Sequence, residues 1–178
     1  MELRKITAYY SVFVGILNVI LWTMLISTGQ VSDLEANIVF FSFHWISEFL
    51  MAGMLIFAGY LIISDNKFST KVYFFATGML IIAITGAVVF YSAIEYDLAF
   101  IIMGTIITVI TTILALKNYE MLHNFFYFTI GIIIYAEINF LGNSLQNKDI
   151  VSVYLELLAM IFSVSLLVLS FKKEVTFE

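Results

Sequence analysis

The sequence predicts an all-α fold, a bundle of six membrane-spanning helices with both termini in the cytoplasm. Three observations predict it. Hydrophobic residues make up 62% of the chain and charged residues 12%, with a mean hydropathy of +1.05. A soluble domain of 178 residues needs far more polar surface to face water. The apolar residues fall into runs of about 20, the length that crosses a ~30 Å hydrocarbon core. The basic residues gather on alternate loops.

The first helix is predicted over 6–28. Residues 1–5 followed by an apolar run look like the start of a signal peptide. The run 6–27 is too long for an h-region and lacks a small-residue cleavage site, so it is expected to be retained. Ser11, Gly15, Asn18 and Trp22 recur at helical spacing and form one small and polar stripe. Such stripes let membrane helices approach closely.

The second helix, 38–63, carries His44 and Glu48 inside an otherwise apolar run. Four residues apart on a helix places them on one face, one turn from each other. Each charge near a bilayer centre costs about 2.5–3.5 kcal/mol, so the pair needs a reason.

The third and fourth helices are predicted over 72–95 and 98–116, split at Glu95-Tyr96-Asp97. One continuous helix over 72–116 would be far too long to span once. Thr105, Thr108 and Thr112 form a small-residue face on the fourth. The fifth and sixth follow at 122–142 and 151–171, and Ser152, Glu156, Ala159 and Ser163 line one face of the sixth. The clear loops are 64–67 and 142–149. A short echo, Phe75-x-x-Gly78-x-x-Ile81-x-Ala83 and Phe128-x-x-Gly131-x-x-Ile134-x-Ala136, hints at a duplicated hairpin.

Arg4, Lys5, Lys67, Lys71, Lys117, Lys172 and Lys173 fall on one side of this arrangement and Lys148 alone on the other. That orients the chain N-in and C-in, as three hairpins with short outer turns. Residues 1–178 are expected to form a single integral membrane domain.

Composition removes several chemistries. With no cysteine there is no disulfide, zinc-thiolate site, iron–sulfur cluster or thiol catalysis. With no proline the usual marker of a broken transport helix is missing. A net charge of −5 without a basic cluster argues against nucleic acid as a partner. His44 and His123 lie at opposite depths, which disfavours a bis-histidine haem. The HEXXH, G-x-S-x-G and Walker motifs are absent, so the sequence leans away from an enzyme.

The polar inventory converges on the outer half of the bundle. Glu48, Glu137 and Glu156 are the carboxylates inside apolar spans, with no lysine or arginine at their depth. Asn18, Tyr135 and Asn139 support them, and Glu95 and Asp97 stand at an outer turn. Unpaired carboxylates must be protonated, hydrogen-bonded, near water or bound to a cation. The expected site is an outward-facing pocket around His44, Glu48, Glu137 and Glu156, holding a small ligand, cation or proton. A divalent metal at His44 and Glu48 is one candidate cofactor. Against these stand plainer readings: a structural hydrogen bond for His44 and Glu48, snorkelling for Glu137 and Glu156, solvated turn residues for Glu95 and Asp97, and helix packing for Asn18.

Three short patterns also carry a resemblance. Trp22-x-Met24-Leu25 closes the first helix, His44-x-x-x-Glu48-Phe49 with Ala52 and Leu55-Ile56 opens the second, and Tyr135-x-x-x-Asn139 closes the fifth. Together they resemble a group of uncharacterised small multi-pass membrane proteins of bacteria and archaea. In that group Ser-Pro-Gly tends to follow the Tyr-x-x-x-Asn segment, where this chain has Phe140-Leu141-Gly142. The resemblance implies a prokaryotic plasma membrane and no particular activity. The sequence therefore favours transport or sensing of a cation or proton. The alternatives are a membrane-embedded metal-dependent enzyme and a structural subunit, with a second copy or a membrane complex as partner.

Overall fold

The computed structural model describes residues 3–29, 37–94, 104, 106, 107, 109–114 and 121–175, and the side chains among them outside 88–94, 121–123 and 172–175. The described residues form six helices and no strand. They are α1 (Leu3–Thr28), α2 (Ile38–Ile63), α3 (Ser69–Ile94), α4 (described within 104–114), α5 (Met121–Gln146) and α6 (Ile150–Val175). Five of them are long and apolar enough to cross a membrane. At 26 residues each, these five are about 39 Å long.

The α2 helix coincides with its predicted segment, 38–63, whereas α1, α3, α5 and α6 outrun theirs at one end or both. Hydropathy measures the hydrocarbon slab, whereas the backbone ladder continues through polar residues beyond it. The predicted loop 142–149 is corrected most: α5 runs through Gln146 and only residues 147–149 turn. The predicted loop 64–67 is found between α2 and α3. Both turns use one device. Asp65 (φ 53°) and Lys148 (φ 57°) take the left-handed conformation. The next amide then reaches back five residues, from Asn66 to the Leu61 carbonyl and from Asp149 to that of Ser144, both at 3.0 Å. Asn66 Oδ1 then accepts from the Phe68 amide (2.9 Å), and Asp149 accepts from the Ser152 hydroxyl (2.7 Å) and amide (3.2 Å). The bonds from the Ser152 side chain and then its backbone hold the Asp149 carboxyl below its ordinary value. This cap is therefore intact at neutral pH and is lost only as acidification protonates Asp149.

Side-chain contacts fix the packing directions. Asn18 and Trp22 of α1 meet Glu48 of α2, while Gly59, late in α2, meets Ala8, early in α1, so the pair is antiparallel. Tyr135 meets Glu48 and Gly142 meets Phe43, so α5 is antiparallel to α2 as well. The tight 64–68 turn folds α3 back along α2, which leaves α3 and α5 parallel. The α6 helix returns along α5, with Ser163 at Glu137 and Phe171 at Tyr127. Tyr10 ties α1 to α4, its hydroxyl lying 2.8 Å from Thr111 Oγ1 and 3.1 Å from the Ile107 carbonyl. Thus α2 and α5 lie centrally and α3 fills one side, and Tyr73, Phe74 and Met79 of α3 with Met51 and Leu55 of α2 are the most buried large side chains among the described residues. Arg4 Nη1 pairs with Asp65 Oδ1 at 2.6 Å. Both side chains are exposed, so the pair is worth about 0–1 kcal/mol, yet it puts the start of α1 and the α2–α3 turn at one end of the bundle.

Glycines set the closest approaches. A Cβ on Gly15 would lie 2.7 Å from the Ala52 carbonyl oxygen, and one on Gly59 2.7 Å from that of Ala8. Where α3 crosses α5 the contact is tighter and reciprocal. A Cβ on Gly78 would fall on the Phe128 carbonyl, and one on Gly131 on the Phe75 carbonyl. The residues of the sequence echo are therefore the residues of the crossing, related by a local pseudo-two-fold axis along the helices.

Candidate functional site

Glu48 is the fixed point of a polar cluster built by three helices. It sits about 15 Å along α2 from Ile38, deep within the span, and is 5% exposed. Among the described residues its carboxylate has no cationic partner, and neutral donors fill it. Tyr135 of α5 donates its hydroxyl to Oε1 at 2.5 Å. Asn18 Nδ2 and Trp22 Nε1 of α1 each donate to Oε2 at 3.1 Å, and Asn18 also reaches the Glu48 carbonyl at 3.3 Å. Asn18 and Trp22 are four residues apart on α1, so one face of that helix delivers both.

A second set of bonds, one turn along, fixes His44. Asn139 Nδ2 donates to Ser47 Oγ and to the Tyr135 carbonyl, each at 2.9 Å. The carbonyl only accepts, which orients the amide and leaves Asn139 Oδ1 as an acceptor. His44 Nδ1, 2.8 Å from that oxygen, must therefore carry the proton. In the neutral ring Nε2 is then the basic nitrogen, and among the described residues it has no hydrogen-bond partner. Ser47 closes the set by donating to the His44 carbonyl at 2.7 Å. Trp22 meets the imidazole edge to face, centroids 5.2 Å apart, and Phe40 stacks on it at 6.3 Å.

The structure thus gathers His44, Glu48, Asn18, Tyr135 and Asn139. It places Glu137 and Glu156 elsewhere. Glu137 stands two residues from both Tyr135 and Asn139, so it leaves the opposite face of α5 and meets α6. Glu156 lies on α6, its side chain part-buried. The four expected pocket residues therefore form two places on two faces of α5. Glu95 and Asp97 lie outside the described residues, as does the His123 side chain.

Two members are additions to the expected set. Trp22 was expected only as part of a packing stripe and of the resemblance motif. Its position four residues after Asn18, on the face that meets α2, is the signal that marks it as a second donor. Ser47 shares a face with His44 at a spacing of three, which was readable once Glu48 was singled out.

The donor set does not suit a divalent metal. Glu48 already accepts from three neutral N–H or O–H groups, and the proton on His44 Nδ1 is committed to Asn139. Among the described residues no three His, Asp or Glu lie together as a metal would require. A cavity of about 350 Å³ opens further along the bundle, among Phe57, Asn66, Phe68, Val72 and Phe171. Its lining is apolar save for Asn66, and it lies toward the end that holds Arg4, away from Glu48.

Comparison with family models adds one finding. Residues 1–120 match the model described as "Domain of unknown function (DUF8058)". The chain belongs to this family. The match spans α1 to α4, so it includes Asn18, Trp22, His44 and Glu48, while Tyr135 and Asn139 come from beyond it. No curated protein and no solved structure matches the chain. The family description assigns no activity, and the resemblance implied none.

Proposed function

We propose that this DUF8058 chain is an integral protein of the prokaryotic plasma membrane that takes up a proton at His44, in an outward-facing polar site organised by Glu48, and uses it in sensing or transport. The carrying observation is the division of labour in the cluster. Donors from α1 and α5 fill the Glu48 carboxylate, whereas His44 has one ring nitrogen fixed by Asn139 and the other without a partner among the described residues. A proton taken up at Nε2 would leave every hydrogen bond of this set in place, since Nδ1 already donates to Asn139. The positive-inside bias of the loops supports the N-in orientation, which turns this end of α2 outward.

The alternative is a purely structural clasp of α1, α2 and α5, favoured by the completeness of the bonding at Glu48. The readings differ in a measurable way. Trp22 touches the His44 ring edge to face, and an imidazolium quenches a neighbouring indole. In a Trp45→Phe background Trp22 is the remaining tryptophan. Its fluorescence is expected to fall reversibly on mild acidification, and the fall to vanish in His44→Gln. A pH response identical in the two proteins would sink the reading and leave the clasp. Vesicles carrying a pH gradient then separate the two uses: a transporter dissipates the gradient and a sensor preserves it.

A further inference from the structure

We propose that Glu137 is a proton-binding site in its own right, on the seam between α5 and α6, occupied at neutral pH. Neither Glu48 nor His44 takes part, so the site stands whether or not His44 titrates.

Glu137 is 7% exposed, about 14 Å from the end of α5 and within its spanning segment. Oε1 accepts from the Ser163 hydroxyl at 3.0 Å. Oε2 is buried and has no hydrogen-bond partner. This is the reverse of Glu48, where donors fill both oxygens. An ionised carboxylate here would bury a charge with one donor on one oxygen, which apolar surroundings penalise heavily. A proton on Oε2 removes the charge, keeps Oε1 as the acceptor for Ser163, and needs no other group to move.

The surrounding charges agree. On α6, Glu156 is the titratable group that acts on Glu137, and a carboxyl offers it no positive charge. On α2, Glu48 and His44 engage the other face of α5, through Tyr135 and Asn139. On α3, Lys71 lies over the Tyr127 ring, ten residues earlier along α5. Thus no described cation stands where it would pair with Glu137.

The position gives the proton a consequence. Ser163 is the one buried residue among the described side chains of α6, and it is the residue that donates to Glu137. The polar tie that seats α6 on α5 therefore runs through the group that binds the proton.

Infrared spectroscopy of the full-length protein in neutral phospholipid vesicles at pH 7 tests this. The wild type is expected to show the carbonyl band of a protonated carboxyl, shifted in heavy water. The band is expected to be lost in Glu137→Gln and kept in Glu48→Gln. Gln retains an oxygen for Ser163, so this variant keeps the α6 contact. Should it still fail to fold, Ser163→Ala replaces it: the same band moves to higher frequency once its carbonyl loses a donor. Loss of an ionised-carboxylate band in Glu137→Gln, or no band shift in Ser163→Ala, overturns the proposal.

Discussion

Glu48→Ala is expected to destabilise the protein by about 4 kcal/mol, because three donors lose one shared acceptor. Each buried donor left without a partner costs roughly 1–3 kcal/mol. Tyr135, Asn18 and Trp22 come from two helices and converge on this carboxylate, so its removal strands all three at once. Glu48→Gln should cost less, on the order of 1–2 kcal/mol, since its carbonyl still accepts from one side while its amide turns a donor toward the other. Tyr135→Phe removes a single charge-assisted bond and should cost about 2 kcal/mol. Reversible unfolding in mixed detergent, followed by helical circular dichroism, measures all three. If Glu48→Ala loses less than about 1 kcal/mol, the carboxylate is not the common acceptor of α1 and α5. The double variant Glu48→Ala/Tyr135→Phe should lose less than the sum of the single ones, since the hydroxyl is already stranded in the first.

The same residues show what a sequence can and cannot disclose. His44 and Glu48 announce themselves, since two ionisable groups one turn apart in an apolar run are costly wherever that run lies. The helices announce themselves too, because about 20 apolar residues have few uses other than crossing a bilayer. The partners of Glu48 do so only in part: Asn18 and Tyr135 are expected in support of the carboxylates, whereas Trp22 reads as packing, and only the crossing of α1 and α5 over α2 decides which faces meet. Glu137 shows the limit most clearly. Depth in the membrane places it level with the other polar groups, and depth is what hydropathy and loop charge supply. Its azimuth around α5 sends it to α6, two residues from side chains that face α2. A spacing of two on a helix carries that information, though it becomes decisive only once it is known which helix lies on which side. The end of α5 was obscured for a different reason: Asn143, Ser144 and Gln146 read as a loop by composition, yet a helix leaving the hydrocarbon keeps its backbone ladder.

Gly78→Ala and Gly131→Ala are each expected to destabilise the protein by about 3 kcal/mol, at the upper end of overpacking costs. In each case the new methyl group meets a backbone carbonyl of the facing helix. A side chain could turn aside, but a helix backbone cannot, so α3 and α5 must separate along the whole crossing. Apolar surface gains nothing by leaving lipid for another helix, so close backbone approach is what holds such a pair together. Separation therefore removes the main attraction as well as adding a clash. The pseudo-two-fold makes a sharper demand. Both methyl groups are relieved by the same movement, so the double variant should cost clearly less than the sum. Gly53 and Gly86 supply the control. A Cβ at either meets nothing within 4 Å, and Gly→Ala there should stay within about 1 kcal/mol, on the stabilising side. Additive costs at Gly78 and Gly131, or costs matching those at Gly53 and Gly86, would show that α3 and α5 do not cross on these glycines. The consequence reaches the polar cluster, since α5 holds Tyr135 and Asn139 one and two turns beyond Gly131. A crossing forced apart should loosen the grip on Glu48 and His44, so Gly131→Ala is expected to weaken the acid quenching of Trp22 although no residue of that cluster is substituted.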